Sequence, residues 1–113
     1  MKVSQRDIVW TSFNPTRGRE QRGKRPAVVI SGNAFHVSGI CIVCPLTTTL
    51  HRFVGDVILK PNPTNKLKEE SEVLIGHARS ISLERIEGKT KIGVIQETDL
   101  ENIFKGIDLI LDR

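Results

Sequence analysis

The sequence predicts a mainly β fold: five to seven short strands wound into a small, strongly curved barrel, with one C-terminal α-helix laid against it. Three observations carry that expectation. Apolar, β-branched runs recur at close spacing and are bounded by Pro, Gly and Asn. The apolar period changes from that of a strand to that of a helix only at the end of the chain. A length of 113 residues suits one domain with a core of its own, so residues 1–113 are read as a single unit.

The elements follow in order. Residues 7–13 alternate loosely and stop at Asn14-Pro15, a strand ended by a turn signal. Residues 25–31, RPAVVIS, form a second strand too apolar to lie on a surface. The third runs from 39 to 46, and Pro45, which has no N–H for a ladder, marks a strand end, edge or bulge. Residues 54–60 make a fourth, closed by Pro61-Asn-Pro63, and the polar stretch 64–72 reads as a solvated loop. Further strands are expected at 72–79 and 91–95, with a helical turn at 82–86 between them. Thr98 and Glu101 fit a capping box, with Thr98 as N-cap. Leu100, Ile103, Phe104, Ile107, Ile110 and Leu111 then supply an amphipathic stripe. The pattern leaves the barrel topology open.

Several functional classes drop out early. Cys41 and Cys44 form a CxxC, but they lie in an apolar strand where positions i and i+3 face opposite sides. No second Cys/His pair stands at zinc spacing, and His36 and His51 are isolated, so two small buried hydrophobes are expected and no metal or other cofactor. No apolar run reaches the length of a membrane span, and the N-terminus lacks a signal core, which points to the cytoplasm.

The charge distribution is more informative. Residues 14–25 carry Arg17, Arg19, Arg22, Lys24 and Arg25 against Glu20 alone, a net of +4. The whole chain, with 17 basic and 13 acidic residues, is also +4, so the other 101 residues sum to zero. A solvated surface loop would account for charge as such. This loop, however, is long for a hairpin, holds Gly18 and Gly23, and favours Arg, whose planar fork matches phosphate.

Arg25 stands apart because Pro26 confines it to extended backbone at the start of a buried strand, and a positioned cation is what catalysis needs. Thr47, Thr48 and Thr49 follow the third strand and offer hydroxyl donors to phosphate oxygens, although threonines are also good strand formers. Arg25, Glu20 and Thr47 together suit a phosphodiester cut by its own 2'-hydroxyl. Glu20 would accept the proton, and Arg25 would stabilise the charged phosphorane.

The stretch NPTRGREQRGKRPAVVI resembles the opening of the MazF/PemK (Kid) toxins, with its Gly-x-Glu-Gln-x-Gly-x-Arg-Pro core. Cys44-Pro-Leu-Thr47, His77-Ala-Arg-Ser-Ile81 and the terminal helix follow in the family's order, so the resemblance spans nearly the whole chain. It implies an SH3-like barrel with a C-terminal helix, acting as a homodimer. The implied activity is sequence-specific, metal-independent endoribonuclease cleavage of single-stranded RNA, chiefly mRNA, leaving a 2',3'-cyclic phosphate and a 5'-hydroxyl. The implied partner is a small acidic antitoxin whose disordered tail covers the site.

Carried over by position, the catalytic residues are Arg25, Glu20 and Thr47. Arg17, Arg19, Gln21, Arg22, Lys24, Thr48, Phe53, His77 and Arg79 are candidates for RNA contact. His77 stands where the family usually has Gln, Gly76 where some members carry a catalytic acid, and Arg19 where some have His. Among the few aromatics, Trp10 is expected in the core because it lies mid-strand, and Phe53 is the better candidate to meet a base. Two alternatives of the same fold compete with the nuclease: a gyrase-inhibiting toxin and an RNA-binding barrel without chemistry.

Overall fold

The computed structural model describes residues 2–12, 24–88 and 91–113. Among them lie eight strands, more than the five to seven expected, and one long helix. The strands are β1 (Asp7–Ser12), β2 (Lys24–Val29), β3 (Ile40–Thr47), β4 (Val57–Leu59), β5 (Ser71–Val73), β6 (Arg79–Ser82), β7 (Ile86–Glu87) and β8 (Gly93–Val94), followed by α1 (Glu97–Ile110). All pairings are antiparallel, in the order β4-β5-β3-β2-β1-β7, with β6 also beside β3 and β8 beside β1. The sheet curls into the expected small barrel-like form, although its end strands β4 and β7 do not pair with each other.

Both faces of the central strands are buried, which is why their sequences are apolar without a break. Ile8, Val28, Cys44 and Leu46 join Leu59, Val73, Ile75, Ile95 and Ile103 of α1 in one core. The alternate residues Val9, Ala27, Val29, Cys41 and Val43 pack with Val3 and Ile81 in a second. The two cysteines therefore sit on opposite faces as their spacing requires, both free and buried. Burial pushes the Cys41 thiol up to about 11 and that of Cys44 to about 12.

Several boundaries differ from the sequence expectation, each for a local reason. Pro45 does not end β3, because the strand changes neighbour there, pairing with β6 over residues 40–43 and with β5 at Leu46 and Thr47. The missing N–H falls in that gap, while the Pro45 carbonyl accepts from Leu74 N–H at 2.9 Å. The expected strand 72–79 is cut into β5 and β6 by a 3-10 turn at Ile75–His77. Residues 64–72 are not all solvated: Asn65 is buried, its side chain bonded to the backbone of Lys60, Asn62 and Leu67.

The helix starts earlier than the Thr98 capping box would have it. Gln96 is the N-cap, and its N–H donates to Asp99 at 3.1 Å. Only Ile103 of the apolar stripe is fully buried, while Phe104, Ile110 and Leu111 are exposed. Trp10 is not core either, being 42% exposed. It lies two residues beyond Ile8 on the same face, beside Pro26 and Glu87, where the core has ended.

Candidate active site

β2 places the first two cations. Lys24 and Arg25 open that strand opposite Ser12 and Thr11 of β1, and both side chains reach solvent. The buried Thr11 hydroxyl donates to the Arg25 carbonyl at 3.4 Å, which together with Pro26 holds the backbone of Arg25 extended. Across the sheet, the Arg25 guanidinium donates to the Leu46 carbonyl of β3 at 3.3 Å. One end of the fork is thus anchored on the strand that carries the threonines.

Between β2 and the end of β3 lies a cleft of about 290 Å³ lined by Lys24, Arg25, Pro26, Leu46, Thr47, Thr48 and Ser71. The Thr47 hydroxyl oxygen accepts from the Thr49 N–H at 3.1 Å, so its own hydrogen remains available to a ligand oxygen. An anchored guanidinium, a second cation and at least two hydroxyls around one open cavity have the chemistry to receive a phosphate group. Among the described residues, no three His, Cys, Asp or Glu side chains gather as metal ligands would.

Of the residues singled out from the sequence, the fold brings Arg25, Lys24, Thr47 and Thr48 together. Glu20, Arg17, Arg19, Gln21 and Arg22 lie outside the described residues. His77 is exposed on the 3-10 turn rather than on a strand, and Arg79 opens β6 opposite Val43, so neither lines the cleft. Phe53 is 53% exposed on the loop after β3, its ring stacked on His51 with centroids 4.7 Å apart and planes 3° from parallel.

Beneath that loop lies a feature absent from the sequence reading. Glu72 of β5 is completely buried, and its carboxylate accepts three consecutive N–H groups, from His51 at 2.5 Å, Arg52 at 2.8 Å and Phe53 at 3.2 Å. Asp56 lies alongside, one oxygen accepting from Ile75 N–H at 3.0 Å and the other buried with no N–H or O–H donor among the described residues. The Glu72 carboxyl can satisfy that oxygen only if one acid of the pair carries a proton. Glu72, with three N–H donors, is better served as the anion.

When the pair holds a single proton, that proton therefore sits on Asp56. Burial first, then the neighbouring Glu72, raises it to about 6. Burial also works to raise Glu72, but its hydrogen bonds from Asp56 and the loop amides outweigh that and bring it to about 2.

A raised acid stabilises the fold below its unfolded pKa, and that stability is lost as the pH climbs through about 6. A lowered acid stabilises above its unfolded pKa and loses that stability as the pH falls toward 2. The pair thus stabilises most near pH 4 to 5. His51 tempers the charge on Asp56, and the buried Cys44 thiol faces it. Asp56→Asn keeps the Ile75 acceptor and gives Glu72 a permanent donor. It should raise stability at pH 8 by about 1–2 kcal/mol, allowing for solvent screening, and have little effect near pH 5. Thermal unfolding of both proteins across that range checks this, and equal melting temperatures at pH 8 would contradict it.

Residues 4–111 match the sequence model of the PemK-like, MazF-like toxins of type II toxin–antitoxin systems. The chain belongs to this toxin family. Over 106 residues it is 31% identical to the endoribonuclease toxin MazF of Escherichia coli (strain K12), covering 93% of this chain and 90% of that one. The crystal structure of MazF from Deinococcus radiodurans aligns with a TM-score of 0.79 at 28% identity, over 100% of this chain and 99% of that one. A MazE–MazF complex from the same organism contains a chain with a TM-score of 0.80 at 25% identity, over 99% and 97%.

In this toxin the sequence reading missed Ser71, Pro26 and Leu46 as cleft walls, and the acid pair entirely. A glutamate directly leading the apolar run Val73-Leu-Ile75 is the available signal for Glu72. Asp56, between Gly55 and Val57, offered none.

Proposed function

We propose that this endoribonuclease toxin cuts single-stranded RNA, chiefly mRNA, at the cleft between β2 and β3, using the RNA's own 2'-hydroxyl and no metal. The observation that carries this reading is the seating of Arg25: fixed by Pro26 and Thr11, tied to β3, and facing Thr47 and Thr48 over one cavity. In the reaction the 2'-oxygen attacks the adjacent phosphorus and loses its proton to a base, for which Glu20 is the candidate. The bond from phosphorus to the 5'-oxygen breaks, and that oxygen takes up a proton. The products are a 2',3'-cyclic phosphate and a 5'-hydroxyl. Arg25 and Lys24 neutralise the nonbridging oxygens as charge builds on them, while Thr47 donates to the same group.

The reading extends to partners. An acidic, disordered antitoxin tail competes with RNA for the cations of the cleft and covers a wide surface by folding onto it. The toxin acts as a homodimer in the cytoplasm. No helix among the described residues is long and apolar enough to cross a membrane.

The test is incubation of purified toxin with several long mixed-sequence RNAs in excess EDTA, followed by mapping of product ends. Discrete cuts with cyclic-phosphate 3'-ends are expected. Cleavage that requires added Mg²⁺, or products ending in a 3'-hydroxyl, would overturn the mechanism. Absence of cutting on every RNA would turn attention to a gyrase-type inhibitor or a simple RNA-binding barrel.

A further inference from the structure

We propose that Glu72 is a positioning residue for RNA recognition: buried under the loop after β3, it fixes the His51–Phe53 ring pair as a platform on which one unpaired base of the substrate is laid. The inference rests on the reading that the neighbouring cleft cuts RNA, and it deepens that reading by naming what selects the sequence.

The loop begins where the cleft ends. Thr47 and Thr48 line the cavity, and His51 follows three residues later. Three successive amides, turned inward around an Arg52 with φ of 58°, make a concave anion-binding nest. The anion in it belongs to the protein itself. Glu72 lies opposite Thr47 in the β3–β5 ladder, and its neighbour Ser71 lines the cleft, so the loop is pinned directly to the wall of the site.

Inward amides force the side chains outward. His51, Arg52 and Phe53 are all exposed, and the two rings are stacked in nearly parallel planes. A half-exposed phenylalanine already stacked on one face is a poor surface residue and a good base platform, because every base has a π-face to lay on it. Arg52 adds a cation between the two rings in sequence. The larger face of a purine covers such a platform better than a pyrimidine, so one purine-favouring position in the cut sequence is expected.

The test compares wild type with Phe53→Ala, Phe53→Trp and Glu72→Gln. Cut sites are mapped on long RNA, and KM and kcat are measured on an oligonucleotide containing the mapped site. Stacking is also read directly, by quenching of 2-aminopurine placed in an uncleavable 2'-deoxy version of that site, or in a mixed-sequence deoxy pool if no site has been mapped. Phe53→Ala should lower kcat/KM roughly 5- to 100-fold, with the loss falling on KM more than on kcat, broaden the cut sequence at one purine position and abolish the quench. Phe53→Trp should retain all three. Glu72→Gln, with its fold checked by circular dichroism, should move the same readouts in the same direction but less far.

Unchanged KM, cut sequence and quench in Phe53→Ala would overturn the platform. A full effect of Phe53→Ala with none from a folded Glu72→Gln would overturn the role of Glu72. If wild type quenches the probe without cutting RNA, the cleavage reading fails while the platform stands.

Discussion

Arg25→Ala is expected to lower the single-turnover cleavage rate by on the order of 10³-fold while leaving the fold in place. The guanidinium reaches solvent, and among the described residues its hydrogen bond goes to a single carbonyl, that of Leu46, so little stability is expected to depend on it. In the proposed reaction its weight falls on the transition state, where charge builds on the nonbridging oxygens. Binding of an uncleavable oligonucleotide should weaken less than tenfold, about what one phosphate contact among several contributes. Arg25→Lys restores the charge without the planar fork and recovers only part of the rate. Rate and affinity falling together, by the same factor, would instead describe a binding surface without chemistry.

Gly106→Ala is expected to be strongly damaging for so small a substitution, at about 3 kcal/mol, although alanine is the better helix former by about 1 kcal/mol. A Cβ at this position would overlap the carbonyl oxygen of Gly55 and the Ile75 side chain. Gly55 has a φ of +88° and sits beside Asp56, so neither the helix nor the loop can yield without disturbing the acid pair. The loss should therefore appear in denaturant unfolding and also as a raised KM, because the same loop carries Phe53. Gly76→Ala is the contrast: a Cβ there meets nothing within 4 Å, and the unfolding midpoint should barely move. Equal stability of the two variants would show that α1 does not press on the loop as described.

The parts of this molecule legible in the sequence are those that depend on short-range pattern. The apolar runs at 25–31 and 39–46 are strands because both their faces are buried, and the split of Cys41 from Cys44 follows from the two-residue period alone. Arg25 could be singled out because the residue after it is proline. The misreadings arose where distant segments decide. Trp10 is exposed because the sheet runs on past its core, which a strand's own sequence does not record. Pro45 is tolerated because β3 changes partners beside it. Asp56 and Glu72 meet across 16 positions of chain, and each alone looks like an ordinary surface acid. Five candidate residues of the basic loop, Arg17, Arg19, Glu20, Gln21 and Arg22, lie outside the described residues.

The place of β2 in the strand order bears on how such an activity can be turned off. It lies between β1 and β3, with Val28 buried in one core and Ala27 and Val29 in the other. A strand tied into two ladders and two cores does not open by fraying. It opens only when the domain unfolds as a whole. The cation at its start, paired with Thr11 of β1 and tied to the Leu46 carbonyl, stands two residues ahead of that locked segment. On the proposed function, restraint is expected to come from something that sits over the cleft, and removal of that cover should require no refolding of β2 before the first cut.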